Sequence, residues 1–233
     1  MALNLATFKT RTLTAIVFAV VMLGGLLLNP WGFVALFIII HFGCWYEFIK
    51  LIKKIYKEQY FLYSLLGLIY ITLPILLLIS FRLSYLSVTA ELVIDQRVYI
   101  VMPCFIIFCM WVNDTMAYLV GSLIGKTPFS KISPKKTWEG TIGGIILCSV
   151  IMGMAGIYFG RGYFANDAFY FIAALIAAIF GTLGDLVESK LKRMADVKDS
   201  GNLMPGHGGF LDRFDSLLIA TPFVWAFAEL IVK

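Results

Sequence analysis

The chain has 233 residues, of which 61% are hydrophobic and 14% are charged, and its formal net charge is +5. Soluble domains are about 45–50% apolar and about 25% charged, so this composition excludes a soluble globular protein and indicates an integral membrane protein. The basic residues are spread over several short loops, which argues against a nucleic-acid partner. We expect residues 1–233 to form a single transmembrane domain.

Apolar segments along the chain predict about seven membrane-spanning helices, because a spanning helix needs about 20 mostly apolar residues. In chain order these segments are 13–28, 31–49, 61–80, 98–120, 140–160, 168–188 and 216–232. Only Asn29 and Pro30 separate the first two, which predicts a tight hairpin and leaves open whether both are full spans. The expected fold class is an all-α polytopic helical bundle in a membrane.

Lysines and arginines predict the orientation of this bundle, since cytoplasmic loops carry an excess of them. With the N-terminus in the cytoplasm, fifteen of the nineteen basic residues lie on the cytoplasmic side, and the C-terminus lies outside. The four on the outer side are Arg82, Arg97, Arg161 and Lys233. We therefore expect a multi-pass protein of a cell membrane such as the bacterial inner membrane.

Two features of the spans are expected to serve packing alone. The four cysteines, Cys44, Cys104, Cys109 and Cys148, lie in apolar segments without a CxxC pair, which indicates small packing residues and neither a zinc site nor a disulfide. The aromatic stretch FGCWYEF, residues 42–48, is expected to be lipid-facing or part of the core.

Polar side chains in or beside three spans are candidates for function, because ionisable groups are costly in a bilayer. Asn113 and Asp114 lie well inside the fourth segment, and Asp185 lies near the end of the sixth. Asp212 and Asp215 begin the seventh with a spacing that places both carboxylates on one face of a helix. All three span ends fall on the predicted cytoplasmic side.

The end of the sixth segment holds further signals. Glu188 follows Asp185 at helical spacing. It could hold a nearby lysine or arginine instead of taking part in the site itself. Gly181 and Gly184 would let another backbone approach this helix closely.

Two predicted cytoplasmic loops have unusual compositions. Residues 125–140 read GKTPFSKISPKKTWEG, and residues 192–213 read KRMADVKDSGNLMPGHGGFLDR. An orientation signal accounts for the lysines of the first loop, and an ordinary turn accounts for the glycines of the second. The orientation signal does not explain why Ser133 to Thr137 lie so close to Glu139. An ordinary turn does not explain the aspartates around His207, Gly208 and Gly209.

Acids and bases gathered at a membrane surface are typical of a site for a polyphosphate. Mg²⁺ favours one or two carboxylates plus substrate phosphates, and a glycine-rich backbone can turn N–H groups towards phosphate oxygens. Lysine and arginine neutralise the charge that develops in phosphoryl transfer. No serine, cysteine or histidine lies in a convincing triad pattern, so we expect one substrate to attack the other directly.

The stretch from Ser189 to Asp215, SKLKRMADVKDSGNLMPGHGGFLDRFD, resembles the signature of the phosphatidate cytidylyltransferase (CDP-diacylglycerol synthase) family. That signature has a serine, a Lys-Arg pair, a Lys-Asp step, His-Gly-Gly and Asp-Arg followed by Asp, and all its elements are present in order. The upstream stretches NDTMAYLVGSLIGKTPFSKISPKKTWEG and LGDLVES resemble the companion motifs. The resemblance covers residues 111–216 well, within a catalytic half of about 98–233.

The resemblance implies transfer of CMP from CTP to phosphatidate, giving CDP-diacylglycerol and pyrophosphate, in a polar cavity that faces the cytoplasm. Asp185, Asp212 and Asp215 would bind Mg²⁺ and act in catalysis with Lys136, although which aspartates bind directly is open. Asn113 and Asp114 would line the same cavity or bind a second cation, and Asp114 could instead make a helix-packing hydrogen bond. The residues expected to contact substrate are Asn113, Asp114, Ser133, Lys135, Thr137, Glu139, Lys198, Asp199, His207, Gly208, Gly209 and Arg213. His207 could also be purely structural.

The same residues bear on several alternative functions. A CDP-alcohol phosphotransferase would need four aspartates in one short helical motif, and a membrane prenyltransferase would need a second aspartate within residues 115–120; the sequence has neither. A transporter would use Asp114 but would not need the dense cytoplasmic cluster. CTP transfer to another lipid phosphate stays open, as do the metal count and the oligomeric state, a homodimer among the options.

The predicted orientation can be checked by cysteine labelling. Single cysteines at positions 130 and 202 of a cysteine-free protein should react with membrane-impermeant thiol reagents only from the cytoplasmic side, because both loops carry the basic excess. Labelling of either position from outside intact cells would contradict the orientation.

Overall fold

The computed structural model of this protein describes residues 5–83, 98–160, 166–202 and 208–232. Apart from isolated bridge positions, such as the pair Pro128 and Thr137, these residues are helical or irregular. Within these ranges the eight α-helices are α1 (Leu5–Leu27), α2 (Pro30–Tyr56), α3 (Tyr60–Ser64), α4 (Leu73–Leu83), α5 (Val98–Ile124), α6 (Trp138–Phe159), α7 (Ala168–Met194) and α8 (Leu211–Val232). A π-helical turn, Leu68–Thr72, leads into α4.

The all-helical class and the multi-pass membrane character are confirmed. Five helical stretches in the described ranges are long and apolar enough to cross a membrane, namely Pro30–Ser64, Val101–Ile124, Trp138–Phe159, Ala168–Met194 and Leu211–Ile231. Two further apolar stretches, Thr12–Leu27 and Leu68–Leu83, are shorter. The total of seven spans and the orientation stay predictions.

The break between the first two helices lies where the sequence places it. The side chain of Asn29 accepts a hydrogen bond of 2.9 Å from the N–H of Gly32, so Asn29 caps α2. Pro30 occupies the first helical position, where its missing N–H does no harm. The predicted hairpin turn therefore has a local cause that can be read from two residues.

By backbone contacts the chain divides into two compact units. The first unit is Met1–Ile75 with Leu191–Phe214, and the second unit is Leu76–Lys190 with Asp215–Lys233. The boundaries fall within α4, α7 and α8. The single domain predicted for residues 1–233 stays a prediction.

In the first unit, α2 is the helix on which the other segments pack. Its buried face includes Phe33, Phe37 and Phe48. The indole N–H of Trp45 donates to the hydroxyl of Thr72 at 2.9 Å, which ties α2 to the π-helical turn. The buried residues of α2 also include one carboxylate, Glu47, which is only 3% exposed.

In the second unit, α5 and α6 come together along a line of small residues. A Cβ atom on Gly144 would lie 2.7 Å from the Cβ of Ala117, and one on Gly140 would lie 2.8 Å from the Cα of Gly121. Real Cβ atoms do not approach other atoms so closely, so only glycine permits this spacing. The close contact fixes where the loop between α5 and α6 begins and ends.

The predicted close approach at α7 is confirmed within the same unit. A Cβ atom on Gly184 would lie 2.9 Å from the Cα of Ser216 in α8, so the two backbones touch there. A Cβ atom on Gly181 would meet the sulfur of Met110 in α5. Three of the four cysteines, Cys44, Cys109 and Cys148, are buried, as expected for small packing residues.

Glycine packing between α5 and α6 can be tested by Gly144→Ala. The added methyl group would overlap Ala117, and overpacking of this kind costs roughly 1–3 kcal/mol. Thermal unfolding in detergent should therefore show a lower melting temperature. Gly24→Ala in α1 is the matched control, because its Cβ would meet only Leu28 at 3.8 Å. Equal melting temperatures for the two variants would contradict the packing.

Candidate active site

The loop between α5 and α6 is folded back on itself by backbone hydrogen bonds. The N–H of Phe129 donates to the carbonyl of Lys136 at 2.8 Å, and the N–H of Trp138 donates to the carbonyl of Thr127 at 2.9 Å. These bonds bring the two ends of the loop together. The basic residues between them are thus presented from a closed, hydrogen-bonded segment.

Glu139 and Thr137 contribute to holding this loop. The carboxylate of Glu139 accepts a bond of 2.8 Å from the hydroxyl of Thr127 and bonds of 3.2 Å from the N–H groups of Lys126 and Thr127. The hydroxyl of Thr137 accepts from the N–H of Gly140 at 3.1 Å and caps α6. Both residues were predicted to contact substrate, and the structure shows each with a local structural task.

A cavity of about 480 Å³ lies beside this loop in the second unit. Its walls come from α5, the loop, the start of α6 and α7. Seven of the predicted site residues line it, namely Asn113, Asp114, Ser133, Lys135, Lys136, Thr137 and Asp185. The structure therefore brings these residues together, and their contact with substrate stays a prediction.

The central charged contact of the cavity is an ion pair between Lys136 and Asp185. Their side chains are 33% and 25% exposed, so the pair is only partly screened by solvent. Lys135 is exposed and supplies a second positive charge to the same cavity. The charged lining of the cavity thus consists of two ammonium groups, from Lys135 and Lys136, and two carboxylates, from Asp114 and Asp185.

Asn113 both packs between helices and lines the cavity. Its side chain is 4% exposed and donates to the hydroxyl of Thr182 at 3.3 Å, which links α5 to α7. It also lines the cavity together with Asp114, which is exposed. Helix packing and cavity lining are therefore not exclusive for this residue.

In the first unit, Asp212 organises the chain around the start of α8. Its Oδ2 atom accepts from the N–H of Ser200 at 2.9 Å and from the N–H of Gly209 at 2.8 Å. Its Oδ1 atom accepts from the ammonium of Lys192 at 2.6 Å. The Asp212 side chain is only 8% exposed, so these donors satisfy a nearly buried charge.

Gly208 and Gly209 permit a close approach to the backbone, and the approaching groups are carboxylates. Gly208 has a φ of 84°, a left-handed conformation that disfavours other residues. A Cβ atom there would lie 2.5 Å from an oxygen of Asp212. A Cβ atom on Gly209 would overlap the carboxylate of Glu47.

The other predicted site residues differ in surroundings. In the first unit Lys198, Asp199 and Arg213 are exposed, whereas in the second unit Asp215 is 7% exposed. An oxygen of Asp215 accepts from the N–H of the next residue at 2.6 Å. His207 lies outside the described residues.

Glu47 is a residue that sequence reasoning missed. The stretch FGCWYEF was assigned to lipid-facing or core packing, and Glu47 is indeed buried. Its carboxylate, however, bonds to the hydroxyl of Ser200 at 2.6 Å and to the N–H groups of Phe210 and Leu211 at 3.0 and 2.9 Å. The available signal was a lone carboxylate in the middle of an apolar helix, which requires a partner.

Among the described residues, no group of three or more His, Cys, Asp or Glu side chains is arranged to hold a metal ion. Mg²⁺ needs only one or two protein carboxylates when a substrate supplies phosphate oxygens. The magnesium site expected at Asp185, Asp212 and Asp215 stays a prediction.

The chain belongs to the Cytidylyltransferase family, whose sequence profile matches residues 69–231. It is 46% identical over 129 residues to a phosphatidate cytidylyltransferase of Bacillus subtilis (strain 168). The matched stretch covers 54% of this chain and 46% of that protein. It is 48% identical over 114 residues to a phosphatidate cytidylyltransferase of Staphylococcus haemolyticus (strain JCSC1435), covering 48% of this chain and 43% of that protein.

A plant relative shows the same likeness. Phosphatidate cytidylyltransferase 4, chloroplastic, of Arabidopsis thaliana is 45% identical over 124 residues, which are 52% of this chain and 30% of that protein. The chain thus matches less than half the length of each of these relatives. The family resemblance inferred from the signature and its companion motifs is confirmed.

The contact between Lys136 and Asp185 predicts coupled effects on turnover. Asp185→Asn should lower the rate by roughly 10²–10³-fold, the usual effect of losing one transition-state contact. Lys136→Ala should add little to it, because the two side chains act as a pair. Steady-state rates with CTP and a lipid phosphate measure both.

Lys135→Ala is the matched control for this cycle. Lys135 lines the same cavity, and no ion pair joins it to Asp185 among the described contacts. It should mainly raise the KM for CTP, and its effect should add to that of Asp185→Asn. Full additivity of Lys136→Ala with Asp185→Asn would contradict a functional pair.

Proposed function

We propose that this protein transfers CMP from CTP to phosphatidate and releases CDP-diacylglycerol and pyrophosphate. Membership of the Cytidylyltransferase family supports a cytidylyl transfer. The names of the bacterial and plant relatives support phosphatidate as the acceptor. The apolar helices support a substrate that lies in a bilayer.

The observation that carries the proposal is the cavity of the second unit. It lies within the region matched by the family profile, and Lys135, Lys136 and Asp185 line it. Its volume of about 480 Å³ falls within the range of ordinary small-molecule sites, about 300–1,000 Å³. A cavity that offers two ammonium groups beside two carboxylates, Asp114 and Asp185, suits a triphosphate and a cation better than an apolar ligand.

The chemistry required of these residues is mainly electrostatic. An oxygen of the phosphatidate phosphate attacks the α-phosphorus of CTP, and the bond from that phosphorus to the oxygen bridging it to the β-phosphate breaks. The attacking group is already an anion, so it needs no general base. Two anions must nevertheless approach each other, and Lys135 and Lys136 lower the energy of that approach. Lys198 and Arg213 are proposed to face phosphate as well.

We propose that Asp185 orients the positive charge of Lys136. Its carboxylate holds the ammonium of Lys136, so the lysine is directed across the cavity before a ligand arrives. The hydroxyl of Ser133 and the exposed carboxylate of Asp114 complete the polar wall. Because both substrates supply the reacting atoms, no covalent bond to the protein is needed.

Mg²⁺ is proposed as the cofactor, and the donor set of the cavity suits it. Asp185 and Asp114 offer carboxylate oxygens, and Asn113 offers an amide oxygen, which are hard ligands of the kind that Mg²⁺ prefers. When bound, the ion would neutralise phosphate charge and favour departure of pyrophosphate. Asp212 differs, because its two oxygens already accept from Ser200, Gly209 and Lys192.

We further propose that the cavity opens to the cytoplasm, where CTP is available, while the acyl chains stay among the apolar helices. Support comes from the fifteen basic residues that fall on one predicted side. Lys135 and Lys136 belong to that set. A transporter would not need this cluster of phosphate-directed charges.

The function is tested with purified protein in detergent, radiolabelled CTP and a panel of lipid phosphates. We expect label to be transferred to phosphatidate and the transfer to depend on Mg²⁺. One pyrophosphate should be released for each labelled lipid formed. An ether-linked analogue and a polyprenyl phosphate in the panel distinguish phosphatidate from other acceptors. Hydrolysis of CTP without a labelled lipid, or preference for another lipid phosphate, would contradict the proposal.

A further inference from the structure

We propose that Glu47 is a positioning residue for the start of α8, and through it for Asp212 and Arg213 of the signature. The inference rests on the cytidylyl transfer proposed above, since it assigns a task to Glu47 in that reaction. Glu47 lies in α2, more than 150 positions before the signature residues it contacts. All these residues belong to the first unit.

The first argument is the burial of Glu47. A carboxylate that is 3% exposed in an apolar helix needs several donors, because an isolated buried charge is strongly unfavourable. Its donors are the Ser200 hydroxyl and the N–H groups of Phe210 and Leu211. The carboxylate is therefore satisfied almost wholly by the segment that carries the signature.

The second argument is the place of these donors in α8. Leu211 is the first residue of α8 and Phe210 precedes it, so neither N–H has a partner within the helix. Glu47 supplies the missing acceptors from another helix. The negative charge of Glu47 at the N-terminal end of α8 also interacts favourably with the helix dipole. The first turn of α8, with Asp212 and Arg213, is thereby held against α2.

The third argument is the fit between Glu47 and two glycines. A Cβ atom on Gly201 or on Gly209 would overlap the Glu47 carboxylate. The backbone of the signature segment thus lies directly against this side chain on both sides of residues 203–207. A segment packed in this way can shift only if the Glu47 contacts break.

The fourth argument links Glu47 to Asp212. The Ser200 hydroxyl lies 2.6 Å from Glu47 Oε2 and 2.9 Å from Asp212 Oδ2. A hydroxyl has one hydrogen, so it donates to one carboxylate at a time and couples the positions of both. The orientation of Asp212 consequently depends on Glu47 as well as on its own donors.

Glu47→Gln tests the inference, because it keeps the size of the side chain and replaces one acceptor oxygen by an NH₂ donor. We expect kcat to fall about tenfold or more while the KM for CTP changes less than about threefold, as is typical of misplaced catalytic groups. Glu47→Asp should recover part of kcat. Glu58→Gln is the matched control, since Glu58 is exposed in the same unit, and it should leave kcat unchanged.

Hydrogen–deuterium exchange provides a readout that does not depend on activity. In detergent, Glu47→Gln should speed exchange in the peptide 208–214 about tenfold or more, because the N–H groups of Phe210 and Leu211 lose an acceptor. Ser200→Ala, which also serves if Glu47→Gln does not fold, should have a smaller effect in the same direction. Glu58→Gln should exchange like the unaltered protein.

The outcomes separate this inference from the proposed function. Unchanged kcat and unchanged exchange in Glu47→Gln would overturn the positioning role in an active protein. A change in KM alone, or exchange that rises equally in all peptides, would also overturn it. If the unaltered protein transfers no CMP, the proposed function fails, and faster local exchange in Glu47→Gln would still support the contact with α8.

Discussion

The hydrogen bonds to two nearly buried carboxylates, Glu47 and Asp212, determine how the signature segment of the first unit is built. Together they engage the backbone N–H groups of Ser200, Gly209, Phe210 and Leu211. In a protein this apolar, water cannot be relied on to satisfy such groups, so the chain must bring acceptors to them. Glycines are needed at the points of closest approach, because a side chain would displace the acids.

The second unit uses the opposite arrangement, in which small residues rather than charges set the geometry. The contact of α5 with α6 depends on Gly140 and Gly144, and that of α7 with α8 depends on Gly184. Where helices already touch backbone to backbone, polar side chains can be confined to one cavity beside the loop. Packing in one unit and hydrogen bonding in the other thus serve the same end, which is a fixed place for each polar group.

Much of this architecture could be predicted from the sequence. The features that could not be predicted share one cause. Helix positions, the break at Asn29 and the cavity lining follow from local patterns: apolar runs, capping residues and polar residues at a span end. The partners of Asp212 and Glu47 depend on contacts between residues far apart in sequence. The metal-ligand role expected of Asp212 stays a prediction, and the structure adds what the local pattern does not reveal, a side chain that is 8% exposed and has several donors. Glu47 was assigned to packing because its apolar neighbours dominate the local pattern.

The loop between α5 and α6 has a thermodynamic consequence for the cavity it borders. Its two ends are joined by backbone hydrogen bonds and by the contacts of Glu139 with Lys126 and Thr127. The conformational entropy of this segment is consequently lost when the protein folds and not when a ligand enters. Ordering a free loop of this length would oppose association, since each residue fixed costs about 1–2 kcal/mol. Entry of a ligand into the cavity therefore need not order this loop, and its departure need not unfold the loop.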